Sequence, residues 1–127
     1  MKRAWMGWLV VAGIAAGACG DDAGASGVDG SKRMNEVSEA ELGRLCDWAN
    51  EQSGGYGRTI PCTESMDVPT DTSREDCVMQ DAPAFAACSA TVAEYEACTL
   101  EIAKDLCTFE AALTRDVCAP ILACLQR

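Results

Sequence analysis

Apolar residues follow two regimes along the chain. From Ala4 to Ala18 they run on without a charge; from Ser38 onward they recur at the three- and four-residue intervals of helices that bury one face. Between the two, Gly20 to about Glu36 is mostly Gly, Asp, Ser and Ala, with almost nothing to bury, which predicts a flexible tether. The expected division is residues 1–18, 19–36 and 37–127.

The last region carries its own helix punctuation. Ser38 with Glu41 makes a capping box, and Val37 and Leu42 flank it as a hydrophobic staple. Leu42, Leu45, Cys46 and Ala49 then share a face with Trp48 at its edge, which predicts a helix over 39–52. Gly54-Gly55-Tyr56-Gly57 supplies the left-handed geometry that ends it. Pro61 disfavours helix at Ile60, so Arg58 to Cys62 predicts a short extended segment, and 63–71 a polar loop. Thr72 with Glu75 predicts a second cap and a helix carrying Cys77, Val78 and Met79, ended or broken near Pro83. Thr91 with Glu94 opens a third helix, to about Cys107, whose stripe of Val92, Tyr95, Thr99, Ile102 and Leu106 stands opposite Glu94, Glu101, Lys104 and Asp105. Phe109 and Leu113 form an i,i+4 pair, Thr114-Arg115-Asp116 a turn, and Pro120 starts a last short helix with Ile121, Leu122 and Leu125. A bulky residue three before a cysteine recurs at Phe85/Cys88, Tyr95/Cys98 and Ile121/Cys124, a spacing that sets it beside the sulfur. The expected fold is all-α, a small disulfide-stapled domain of three to five short helices behind a tether.

The first eighteen residues decide what the cysteines mean. Lys2 and Arg3 precede the apolar run and Ala16-Gly17-Ala18 closes it, the layout of a removable export signal. About fifteen apolar residues are too few to span a bilayer core of roughly 30 Å. Small residues directly before Cys19 resemble the lipobox of bacterial lipoproteins, with Ala16 standing where Leu is usual. That resemblance implies a diacylglyceryl group on the Cys19 thiol and a membrane as the partner it anchors to; a plain signal peptide with Cys19 free or dimerising is the alternative. Nine cysteines are an odd number. With Cys19 acylated, Cys46, Cys62, Cys77, Cys88, Cys98, Cys107, Cys118 and Cys124 form an even set for four disulfides in an oxidising compartment. On one helix Cys98 and Cys107 would lie on opposite faces and about 13 Å apart along the axis, too far to bond. A helical hairpin turning near 110–116 would instead pair Cys107 with Cys118 and Cys98 with Cys124, and similar nesting would pair Cys46 with Cys88 and Cys62 with Cys77.

Charge and composition narrow the function. Without residues 1–18 the chain keeps 8 basic and 20 acidic side chains, a balance of −12 that opposes nucleic-acid binding. Beyond residue 36 only about twenty bulky apolar side chains remain, a core of the size that needs staples. The chain has no histidine, which removes His-based acid–base and nucleophile systems and most catalytic metal sites. Neither C-x-x-C nor paired zinc-ligand spacing occurs. Asp21, Asp22 and Asp29 lack the spacing of a calcium loop, and the glycine-rich turn lacks the Lys-Ser/Thr of a phosphate loop. Asp67, Asp71, Glu75, Asp76 and Asp81 make the most acidic stretch, expected as a solvated face. No catalytic residue, metal site or cofactor is therefore assigned.

Leu45-Cys46-Asp47-Trp48-Ala49, the Gly-Gly-Tyr-Gly turn, the segment Thr91 to Cys98 and Cys118-Ala119-Pro120-Ile121-Leu122-Ala123-Cys124 together resemble small cysteine-rich lipoproteins of myxobacteria-like predatory soil bacteria. The likeness covers most of residues 40–125 and implies export and a helical disulfide domain, without an activity to carry over. The expectation is a lipid-anchored, non-enzymatic protein of the cell envelope, an interaction or structural module with a possible protein partner there. A small apolar-ligand carrier and a secreted inhibitor or toxin-like factor are the alternatives.

Overall fold

The computed structural model describes residues 24–63 and 66–127; the expected export signal, the expected lipidation site at Cys19 and the first part of the expected tether lie outside the described residues. Five helices carry the architecture: α1 (Glu39–Gln52), α2 (Arg74–Phe85), α3 (Val92–Ala103), α4 (Phe109–Leu113) and α5 (Ala119–Leu125). Strands β1 (Thr59–Ile60) and β2 (Val68–Pro69) make a two-residue antiparallel ladder, Thr59 opposite Pro69 and Ile60 opposite Val68. Short 3-10 turns occupy Met34–Glu36, Leu106–Thr108 and Asp116–Cys118. The expected all-α, disulfide-stapled architecture is the one observed.

The local signals act where they stand in the chain. Ser38 accepts from the Glu41 amide while the Glu41 carboxylate accepts from the Ser38 amide, and α1 starts one residue on. Thr91 and Glu94 repeat this at α3. Gly54 and Gly55 follow α1 with φ of +95° and +106°, a backbone region that other residues avoid. At α2 the expected cap moves by one: Ser73, not Thr72, accepts from the Asp76 amide. That helix ends at Phe85, two residues past Pro83 and so near the expected stop.

Two expectations about chain course are corrected. The tether drawn over 19–36 is folded from Gly24 onward. Its two sizeable apolar side chains, Val28 and Met34, are 2% and 1% exposed and join the core. Its backbone pairs with the chain around α3: Met34 N–H donates to Ala90 O at 2.8 Å, Asn35 N–H to Cys88 O at 3.0 Å, and Val92 N–H to Lys32 O at 2.8 Å. Lys32 also pairs with Glu41 on α1 at 2.8 Å. The third helix, expected to reach Cys107, stops at Ala103. Asp105 is extended, at φ −155°, and its carboxylate accepts from the Cys107 amide to start a separate 3-10 turn.

Those helix ends decide the sulfur pairing, and all four expected pairs are replaced. The bonds are Cys46–Cys77, Cys62–Cys107, Cys88–Cys124 and Cys98–Cys118, with Cα separations of 6.0, 5.6, 5.1 and 4.6 Å. Once Cys107 leaves the helix axis it meets Cys62, beyond β1. With α4 inserted, the chain after α3 is not a simple hairpin, so Cys118 at the head of α5 faces Cys98 while Cys124 faces Cys88 after α2. Helix α1 packs on α2 and α3, and α5 on α2 and α3. At their meeting lie Leu42, Leu45, Phe85, Val92, Ile121 and four half-cystines, Cys88, Cys98, Cys118 and Cys124. The bulky-residue spacing serves this core: Phe85 meets Tyr95 edge to face, centroids 5.6 Å apart.

Candidate functional site

Cys46, near the middle of α1, bonds Cys77 in the first turn of α2, and a groove opens between the first half of α1 and the length of α2. Gly43 leaves room for the Arg74 side chain to lie across α1, since a Cβ there would stand 3.1 Å from Arg74 Cδ. The groove has a volume of about 840 Å³. Its floor and walls are Met34, Val37, Leu42, Val78 and Phe85, with Met79 projecting at the lip, 70% exposed. Met34 is there because the N-terminal segment is folded down, so this surface is absent from any picture in which that segment is a tether. The periodicity of α2 places Val78 and Phe85 toward the floor, but nothing local to it marks Met79 as the apolar residue left in water.

The rim is polar and charged. Glu39 and Glu75 line it, exposed and in no ion pair among the described residues, together with Ser38 and Arg74. Arg74 is already engaged: its guanidinium pairs with Asp47 on α1, with Nε donating to Oδ1 at 3.0 Å. Tyr56 donates its hydroxyl to the same Oδ1 at 2.9 Å. Arg74 and then Tyr56 hold the Asp47 carboxyl below the usual carboxylate range, while burial and the neighbouring Asp47 charge push the Tyr56 phenol up. This tie joins α2, α1 and the glycine-rich turn, and it leaves the two glutamates as the uncompensated charges of the groove.

The eight cysteines expected as disulfides are all in disulfides, and they are spread over the domain rather than gathered at a site. Cys46, Cys77 and Asp81 do lie within 4.8 Å of one another, a metal-like grouping in outline. Both sulfurs are bonded to each other, so neither is a thiolate ligand. Asp81 itself departs from the solvated face expected for it. Burial first, and the Asp71 charge second, push its carboxyl up to about 6. Asp71 is held by Asn50, whose amide donates to Asp71 Oδ2 and to Cys46 O, both at 3.0 Å.

One buried carboxylate escaped sequence reasoning. Glu96 on α3 is 7% exposed and accepts from Ala25 N–H at 3.2 Å, Ser26 N–H at 2.9 Å and Ser26 Oγ–H at 2.5 Å. Gly24 lies so close that a Cβ would stand 2.5 Å from both carboxylate oxygens. The group fastens the N-terminal segment to α3. A glutamate one position from the predicted stripe carried no signal of this, because its donors come from about 70 residues away.

No helix among the described residues is long and apolar enough to cross a membrane. Compared with known proteins, the chain matches no family model, no curated protein and no solved structure.

Proposed function

We propose that this chain is an exported, lipid-anchored, non-enzymatic module of the cell envelope whose folded domain works by binding. The observation that carries the reading is the closure of the sulfur set: the eight cysteines from Cys46 onward pair among themselves, and Cys19, next to the lipobox-like residues, is the one over. Export supplies the oxidising compartment in which such bonds persist. Since the domain is packed from Gly24, five residue steps separate it from Cys19, a reach of at most about 18 Å when fully extended. An acyl chain on Cys19 would therefore hold the domain close to the membrane surface. Intact mass of the protein made in a bacterial host carries the test: a diacylglyceryl mass on Cys19 and membrane fractionation are expected, and Cys19→Ala should move the protein to the soluble exported fraction. An unmodified N-terminus with soluble wild-type protein overturns the anchor.

The groove favours a second reading, a carrier of a small apolar ligand. Its volume lies within the range of about 300–1,000 Å³ typical of ligand sites. A lipid co-purifying in native mass spectrometry, released by filling the groove through Val78→Trp, would support it.

A further inference from the structure

We infer that the α1–α2 groove docks an amphipathic helix of a protein partner, one that carries lysine or arginine beside its apolar face. The inference rests on the binding-module reading and names the partner's chemistry. Over a packed floor of Met34, Leu42 and Phe85, the half-buried Val37 and Val78 and the exposed Met79 offer apolar contact between two helices, the setting in which a third helix lays down residues at i, i+3, i+4 and i+7. Met79, unbranched and exposed at the lip, is a side chain that can fold over such a ridge.

Charge selects among the occupants. Glu39 on α1 and Glu75 on α2 stand at the rim without ion pairs among the described residues, and the only cation there, Arg74, is bound to Asp47. The chain as a whole is acidic, with a formal charge of −10. A fatty acid or an anionic lipid would bring its own negative group against these glutamates. A second copy of this chain would bring the same two glutamates and the same acidic surface. A helix flanked by Lys or Arg instead pairs with both and gains steering from the overall field.

The test uses the exported, oxidised full-length protein carrying Cys19→Ser, so that no acyl chain competes for the groove. The probe is a synthetic 14-residue helix with a leucine face and lysines elsewhere, matched against the same peptide with glutamates for lysines. Calorimetry should show the lysine peptide binding at least about tenfold more tightly, with affinity falling as salt rises. Met79→Glu is the deciding variant: it should weaken the lysine peptide about tenfold although it adds a negative charge. Glu39→Lys with Glu75→Lys should also weaken it about tenfold, while Glu110→Lys with Asp116→Lys, off the groove, should change it by less than about twofold. Unchanged melting temperatures verify that the exposed Met79 variant is folded, and Met79→Ala should give a smaller loss in the same direction. Binding that Met79→Glu leaves intact or tightens is mere charge attraction and overturns the inference. Equal binding of the two peptides overturns it as well, as does a dimer or a tightly held lipid that shields the groove. None of these outcomes alters the acylation of Cys19 or the membrane fractionation, so failure here is separable from failure of the anchor.

Discussion

Burying a charged carboxylate is costly unless donors converge on it, and at Glu96 three do, all from Ala25 and Ser26. Gly24→Ala would push the carboxylate off those donors, because the added Cβ would stand 2.5 Å from both of its oxygens. A loss of about 1–3 kcal/mol is expected in urea unfolding of the oxidised protein. Gly30→Ala, whose Cβ would meet Ala93 at an ordinary 3.5 Å, should cost well under about 1 kcal/mol in the same assay. Asp81 makes a pH-dependent prediction of the opposite sign to most acids. Its folded carboxyl is raised to about 6 from 3.8, so the native state holds its proton more firmly than the unfolded chain does. Its contribution is complete below pH 3.8 and is lost as pH rises through about 6. Relative to wild type, Asp81→Asn should therefore gain up to about 3 kcal/mol of stability between pH 4 and 7. A difference that stays flat across that range would show that Asp81 ionises freely. Neither residue's role is written in its neighbours: the partners of Glu96 are about 70 residues away, and Asp81 looks like any acid in an acidic run.

Helix ends show where local chemistry suffices. Ser38/Glu41 and Thr91/Glu94 were legible because a capping box is closed within four residues and needs nothing from elsewhere. The second helix is subtler, since Thr72 and Ser73 both have an acid three residues on and only one can take the N-cap dihedrals. Ser73 takes it, with ψ of 169° and a bond from the Asp76 amide. Ser73→Ala should cost about 1 kcal/mol and Thr72→Ala less than half of that, read from thermal or urea midpoints. Pro83, which lacks an N–H, sits in the last turn of α2, and the helix ends two residues on at Phe85. At α3 the apolar stripe continued to Leu106, but the Asp105 carboxylate captured the Cys107 amide and opened a new turn.

On the scale of the molecule, the disulfides close loops of 31, 45, 36 and 20 residues. Chain-entropy arguments assign each roughly 3–4 kcal/mol, so together they rival the whole net stability of an ordinary domain. Six of the eight sulfurs belong to buried residues, whereas Cys62 and Cys107 are both partly exposed, at the edge of the fold. Under graded reductant the Cys62–Cys107 bond should open first and leave helical circular dichroism nearly unchanged; alkylation and peptide mapping would identify the pair. Opening the other three should abolish cooperative melting. A fully reduced protein that still melts sharply would mean that its apolar core suffices alone.

Helix positions, their starts, and the presence of a complete oxidisable sulfur set follow from residues that act over one turn or from plain counting, and these are properties any stretch of chain carries with it. Which sulfur meets which is of another kind. A bridge needs Cα atoms within about 7 Å, and a helix ending four residues early swings a cysteine to a different partner. The same holds for the segment beginning at Gly24, for the burial of Glu96 and for the groove floored by Met34. Each depends on surfaces distant in the chain arriving face to face, a matter of how whole helices rotate and seat, which no short run of residues encodes.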